Sequence, residues 1–353
     1  MFQADQFYMQ QALMLAKRGC LSVSPNPMVG CVIVKNGCII GEGWHEYAGG
    51  NHAELNALIA AGEKAKGSCV YVTLEPCCHV GRTGACTEAL IKAEVKKVVI
   101  ASIDPNQLVA GKGINHLQQV GIEVIVGLLQ QEAARLNKIF FYYHQTKLPY
   151  VITKWGMSLD GELQVKAGDV KQITNKASQK MVHNLRNQLD AIMVGHNTVV
   201  DDDPRLTVRM SDSKIIKHPL RVVISKSADL PIDAHVFNTA IVPTILFTSQ
   251  YANPQALEAL KSKNVECIVM PLNSQQKIDL KQVLKVLADK GITSLLVEGG
   301  RTLLNNFFSE GLVNEVHSFI APVIINGCNK KQTLDISEQN FIASDYYCKG
   351  EIR

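Results

Sequence analysis

Apolar and polar positions follow two different periods along the chain, and the switches between them mark its elements. Phe7, Ala12, Leu13 and Ala16 recur near helical spacing ahead of a glycine, predicting a short amphipathic helix over residues 5–19. Two β-branched runs then flank Asn36-Gly37 in "VGCVIVKNGCIIGEG", and that dipeptide tolerates the positive φ angles of a two-residue hairpin turn. Next come stretches patterned as helix ("HAELNALIAAG"), strand ("CVYVTLEP"), helix ("CTEALIKAE"), strand ("KKVVIAS"), helix ("GINHLQQVG") and strand ("IEVIVG"). One last helix is expected from Leu129 to Tyr143. A hairpin followed by helix and strand units implies an α/β sandwich.

The proline-containing "HQTKLPY" interrupts this pattern and places a domain boundary near Lys147, giving domains 1–147 and 148–353. Beyond it, the strand-like "YVITKWGMSLDG" precedes helix ("SQKMVHNLRNQLD"), strands ("AIMVG", "LRVVIS", "PTILFTS"), helices ("NPQALEALKSKN", "DLKQVLKVLADKG"), strand ("TSLLVEGG") and helix ("TLLNNFFSEG"). That is a second α/β domain. No repeat of fixed period and no low-complexity tract is visible.

A length of 353 residues allows two cores, and 46% hydrophobic against 19% charged residues excludes global disorder, collagen and coiled coil. The net charge of +4 is spread evenly: 13 basic and 11 acidic residues lie up to Lys147, 23 and 21 beyond it. With no basic stripe, a nucleic-acid partner is not expected. No stretch approaches the ~20 apolar residues that span a bilayer, and the start lacks a signal-peptide pattern, so a cytoplasmic protein without a membrane partner is expected. In a reducing compartment, clustered cysteines point to metal binding or catalysis, and seven of the ten lie at or before Cys86.

Candidate chemistry concentrates in "HAE" (His52, Ala53, Glu54) and "EPCCHVGRTGAC" (Glu75 to Cys86). One imidazole and two thiolates suit zinc and leave a fourth tetrahedral position for water, the layout of a catalytic site. In zinc deaminases the metal activates the attacking water while a glutamate two residues after the histidine shuttles the proton to the leaving ammonia, and His52 and Glu54 have that spacing. The general deaminase signature continues Cys-x-x-Cys, but Val80 stands three residues after Cys77, so the second thiolate comes from further on. Cys86 opens the next helix; Cys78 and His79 are its rivals. A structural zinc site, or cysteines buried as small apolar groups, are the plainer alternatives. The remaining cysteines, Cys20, Cys31, Cys38, Cys69, Cys267, Cys328 and Cys348, are expected to pack as small apolar groups.

The blocks "SPNPMVG", "GWHEYAGGNHAE", "TLEPCCHVGRTGAC" and "DPN" followed by "GKG" resemble the deaminase half of the bifunctional riboflavin-biosynthesis deaminase/reductases. The resemblance implies a cytidine-deaminase-like α/β/α sandwich, one zinc per chain on His52, Cys77 and Cys86, proton transfer by Glu54 and a substrate contact at Asn26. It also implies a small phosphorylated pyrimidine as substrate and a homo-oligomer. Gln107 departs from the proline that the family commonly has in this loop.

In the second half no G-x-G-x-x-G follows a strand, so a Rossmann site is not supported. Glu298, Gly299, Gly300, Arg301 and Thr302 lie between an apolar strand and a helix, where helix N–H groups can hold phosphate, although such turns also arise as plain connections. "TKWGMSLDG", "LRNQLDAIMVGHNTVVDDDPRLTVR" and "VEGGRTLLNNF" resemble the reductase half of the same family, implying a dihydrofolate-reductase-like α/β fold and NADPH. Cofactor contacts implied by that resemblance are Gly156, Gln172, Thr198, Asp202, Gly300, Arg301, Thr302, Leu303, Leu304, Asn305 and Asn306. Substrate contacts are Lys154, Val170, Arg186, Leu206, Arg209 and Glu298, with Arg186 and Arg209 each able to grip a phosphate bidentately. Taken without the resemblance, Arg186 is an exposed helix charge and Asp201 to Asp203 an acidic loop. Val170 and Gln172 depart from the family's serine and tryptophan, and the lost aromatic area would weaken nicotinamide binding.

The reading is therefore zinc-dependent deamination followed by NADPH-dependent reduction of the ribosyl group. Its rivals are a deaminase with a degenerate second domain, a nucleic-acid editing factor, and a zinc-stapled scaffold.

Overall fold

The computed structural model describes residues 2–78, 84–158, 161–163, 173–321 and 334–352. They divide into two compact units, Met1–Lys147 and Leu148–Arg353.

The first unit runs α1 (Phe2–Ala16), β1 (Gly30–Lys35), β2 (Cys38–Trp44), α2 (Ala53–Ala61), β3 (Cys69–Val72), α3 (Cys86–Lys92), β4 (Lys97–Ile100), α4 (Lys112–Gln119), β5 (Glu123–Val126), α5 (Gln130–Leu136) and α6 (Lys138–Thr146). The hairpin turns where expected, with Asn36 at φ 50° and Gly37 at φ 77°. The sheet has the order β2-β1-β3-β4-β5, parallel from β3 to β5. Alternation sorts its side chains into two cores: Cys31, Ile33, Val70, Val72, Val98 and Ile100 pack with α2, α3 and α4 on one face. Val32, Val34, Tyr71 and Val99 pack with α1 and α5 on the other, completing the α/β/α sandwich.

Glycine spacing brings α2 close to the sheet. Gly41 and Gly43 point to one face of β2, and a Cβ there would lie 2.3 Å from the Ala57 carbonyl oxygen and 2.4 Å from that of Ala53. Opposite them, Ala53, Ala57 and Ala61 form the matching small stripe of α2. The helix start, with His52 as N-cap residue, is thereby anchored.

Three expectations change. Ala12, Leu13 and Ala16 are buried, but Phe7 is exposed against Tyr8, and Met9 fills the core position. The long terminal helix is two helices, because Asn137 leaves helical geometry (φ −107°, ψ 26°) and exchanges two 2.8 Å hydrogen bonds with the Met28 backbone. Cys20 and Cys38 are exposed, not packed as small apolar groups; Cys31 is buried, Cys69 and Cys267 are half-buried, and Cys328 and the Cys348 side chain lie outside the described residues.

The second unit runs β6 (Tyr150–Ser158), α7 (Lys176–Gln188), β7 (Ala191–Gly195), α8 (His196–Asp202), β8 (Leu220–Ile224), β9 (Thr244–Thr248), α9 (Pro254–Ser262), β10 (Glu266–Val269), α10 (Leu280–Asp289), β11 (Ser294–Val297), α11 (Arg301–Ser309), β12 (Glu315–Ala321), β13 (Leu334–Ile342) and β14 (Asp345–Ile352). Its sheet has the order β10-β9-β8-β7-β11-β6-β12-β14-β13. Strands β10 through β12 are parallel, and the terminal hairpin pairs antiparallel onto β12. Helices α10 and α11 cover one face through Val283, Leu284, Leu287, Leu303, Leu304 and Phe307. Helix α7 covers part of the other, Val182 meeting Phe319 and Tyr347. In open parallel sheets ligands enter outside the carboxyl ends of the strands, which is where Glu298 and Gly300 follow β11 and His196 follows β7.

Candidate active sites

Three ligand atoms converge in the first unit. His52 Nδ1 lies 3.1 Å from Cys86 Sγ and 3.5 Å from Cys77 Sγ, all three atoms within 4.8 Å of one another. Tetrahedral zinc with ordinary Zn–N and Zn–S lengths needs such atoms about 3.5–3.8 Å apart; the Cys77 pair meets this and the Cys86 pair is slightly closer, so the donors fit zinc in number and type and lie near its spacing. Among the described residues this is the group of three or more such side chains able to hold a metal ion; Cys78 is not part of it, and His79 lies outside the described residues. The Cys86 backbone N–H points at Cys77 Sγ, 3.4 Å away. Hydrogen bonding from Cys86, opposed by burial and helped by His52, lowers the Cys77 thiol, while the same bond and burial raise that of Cys86, so the two sulfurs share a proton that a bound metal would displace.

Glu54, in the first turn of α2, is buried beside this cluster and is not one of its ligands. Burial is the largest influence on its carboxyl and raises its pKa, with the His52 charge opposing. Asn26 donates its amide N–H to His45 Nε2 at 3.1 Å, while His45 Nδ1 donates to the Asn51 carbonyl at 2.9 Å. The buried His45 ring thus fixes which way the Asn26 amide points.

Two positioning side chains in this unit had no local sequence signal. His45 is one. The other is Glu75, buried inside the "EPCC" motif, whose carboxylate accepts backbone N–H bonds from Asp104 (3.3 Å), Gly111 (2.9 Å), Gly113 (3.0 Å) and Ile114 (3.3 Å). It ties the "DPN…GKG" loop to the segment carrying Cys77. Asn26 lies 19 residues before His45 and the groups held by Glu75 lie 29–39 residues after it, so local spacing does not reveal these pairings.

In the second unit the expected residues gather around Glu298. Arg186 grips its carboxylate with both prongs, Nε to Oε1 at 2.7 Å and Nη2 to Oε2 at 2.9 Å, and Lys154 Nζ adds a contact at 3.2 Å. Burial would raise the Glu298 carboxyl, but the Arg186 and Lys154 charges win and hold it down to about 2. The Arg186 fork is committed to Glu298, and its remaining Nη1 donates to the Thr207 carbonyl at 3.2 Å. Arg209 is exposed, with Nη1 on Thr207 Oγ1 at 3.0 Å, so of the two arginines it is the one turned to solvent. Leu206 is buried at φ 52°.

The cofactor candidates divide. Gly300 N–H donates to Thr198 Oγ1 at 3.0 Å, tying α8 to the start of α11. Gly300 caps α11 without a side chain bonding its first turn, which leaves backbone donors at a helix start for a phosphate and fits a dinucleotide cofactor. Arg301, Thr302 and Asn305 are exposed, whereas Leu303 and Leu304 are core. Asn306 accepts from Lys277 at 2.8 Å, and Asp202 ends α8, exposed. Gly156 lies against Thr174, where a Cβ would sit 2.8 Å from Cγ2. Val170 and Gln172 lie outside the described residues.

Family models match both units: a cytidine and deoxycytidylate deaminase zinc-binding region over residues 2–102, and a RibD C-terminal domain over residues 149–340. The riboflavin biosynthesis protein RibD of Aquifex aeolicus is 45% identical over 92% of this chain and 88% of that protein. Among solved structures, Acinetobacter baumannii RibD superposes with a TM-score of 0.88 at 37% identity, covering 99% of both chains. A Thermotoga maritima protein described as a diaminohydroxyphosphoribosylaminopyrimidine deaminase/5-amino-6-(5-phosphoribosylamino)uracil reductase gives 0.86 at 32% identity, over 100% of this chain and 99% of its own. The chain therefore belongs to the RibD family and is a bifunctional enzyme of riboflavin biosynthesis, a zinc-binding deaminase followed by an NADPH-dependent reductase.

Proposed function

We propose that the first unit hydrolyses the ring amino group of 2,5-diamino-6-(5-phosphoribosylamino)pyrimidin-4-one, and that the second reduces the ribosyl group of the resulting 5-amino-6-(5-phosphoribosylamino)uracil to ribityl. The observation that carries the first assignment is the convergence of His52 Nδ1, Cys77 Sγ and Cys86 Sγ beside the buried Glu54. Zinc bound there supplies Lewis-acid activation of water near neutral pH. Glu54 moves the proton from the attacking water to the departing amino group, so that one water is consumed and one ammonia released. Asn26, oriented by His45, holds the pyrimidine.

In the second unit NADPH supplies a hydride to the sugar carbon. Thr198, Asp202, Gly156 and the helix start from Gly300 to Asn306 hold the cofactor, and the positioning they provide is the protein's main contribution. Glu298 and Lys154 face the ribosyl group, Leu206 packs beside it, and Arg209 meets the phosphate. Arg186 acts through Glu298, which it locks in its ionised form. Family membership also supports a cytoplasmic homo-oligomer; no helix among the described residues is long and apolar enough to cross a membrane.

Chelation tests the division of labour. Removing the metal from the full chain should abolish deamination and leave NADPH-dependent reduction of the aminouracil substrate unchanged, and added zinc should restore the first activity. Deamination that survives in metal-free enzyme would overturn the assignment.

A further inference from the structure

Residues 203–209 form no helix or strand, yet Leu206, Thr207 and Val208 are buried. Backbone N–H groups withdrawn from water need acceptors, and where no strand runs alongside, side chains can supply them. Here they are imidazoles. Val208 N–H donates to His218 Nδ1 and Arg209 N–H to His183 Nδ1, each at 3.2 Å. A ring nitrogen that accepts carries no proton, so in each ring Nδ1 is the accepting nitrogen. The opposite edge of the segment is held too, since the Thr207 carbonyl accepts from Arg186 Nη1 at 3.2 Å. His183 and Arg186 are three residues apart on α7, so one helix face offers an acceptor to the segment's N–H and a donor to its C=O.

We propose that His183, together with His218, is a positioning residue of the reductase site: their unprotonated Nδ1 atoms fix the backbone that carries Leu206 and Arg209, and so set where the Arg209 guanidinium meets the substrate. This rests on the reading of Arg209 as a phosphate contact. Residue chemistry at position 183 is restrictive. A lysine cannot accept, and a carboxylate would compete with Glu298 for Arg186. The surroundings favour the neutral ring: burial comes first, then the Arg186 and Arg209 charges, with Glu298 and a hydrogen bond to the Thr207 backbone opposing, and together they lower His183 to about 4.

The test compares His183→Leu, which removes the acceptor, with His183→Asn, whose Oδ1 keeps one. In the full-length enzyme at saturating NADPH, His183→Leu should raise the reductase KM for the aminouracil substrate about tenfold while kcat stays within about threefold, and deamination should not change. His183→Asn should return KM to within about threefold of the parent. Amide exchange in residues 206–210 should quicken in the leucine variant and not in the asparagine variant. Equal KM changes in both variants, or parental exchange in His183→Leu, would overturn the proposal. Arg209→Ala with unchanged reductase KM would instead remove the phosphate-contact reading, and the exchange result would still decide whether His183 holds the segment. If His183→Leu does not fold, His218→Leu carries the same comparison at the Val208 amide.

Discussion

Glu54→Gln is expected to slow deamination about 10²- to 10⁴-fold, the span that a positioned proton-transfer group contributes. The substitution is nearly isosteric, so the first turn of α2 and its packing on Gly41 and Gly43 stay in place. What changes is chemistry: an amide cannot take a proton from water and pass it to a leaving amino group. Because the converging ligand atoms belong to His52, Cys77 and Cys86, zinc content should equal that of the parent enzyme. Reduction of substrate supplied already deaminated should proceed at the parental rate. Deamination within about tenfold of the parent would show that Glu54 is not the proton-transfer group, since general acid–base catalysis contributes more than that.

Arg186→Met should destabilise the second unit strongly. Glu298 is only 7% exposed, and its charge is tolerated because Arg186 meets both oxygens. Removing the guanidinium leaves a buried carboxylate with Lys154 alone, and breaking such a pair costs about 3–5 kcal/mol. For a unit of this size that corresponds to a fall of about 10 °C in melting temperature. The pH dependence has a definite sign. In the parent the folded carboxyl sits at about 2 against an ordinary 4.5, so the unfolded chain binds more protons between those values. The stabilisation is therefore complete above pH 4.5 and is lost as the pH falls toward 2. Without Arg186 the folded pKa rises and this window narrows, so the melting deficit of the variant should be greatest near neutral pH and shrink as the pH falls. Thermal melts of the two proteins across pH 3–7 provide the check; coincident curves would mean that the pair carries little.

The parts legible in the sequence are those encoded by local spacing. The Asn36-Gly37 turn, the strand alternation that sorts Val32 from Ile33, and the His52, Cys77 and Cys86 set all appear within short windows. Long-range pairings were not legible. Arg186 has the look of a phosphate-gripping arginine until Glu298, 112 residues later, occupies its fork. Asn137 splits a continuous helical pattern because its amide serves Met28, 109 residues earlier. The short polar α8 and the half-exposed edge strand β10 lack the apolar period that announces an element, and the β13–β14 hairpin is mostly exposed on its outer strand. Glu75, His45 and His183 look like ordinary polar residues until the backbone groups they hold are brought beside them.

The most direct test of the two-step activity is the product mass when the full chain receives the diaminopyrimidine ribosylamino phosphate with and without NADPH. Without NADPH, one amino group should be replaced by oxygen and nothing more should change. With NADPH, the same product should gain two further hydrogens. A product that never gains those hydrogens, or gains them while keeping its amino group, would contradict deamination followed by NADPH-dependent reduction on this chain.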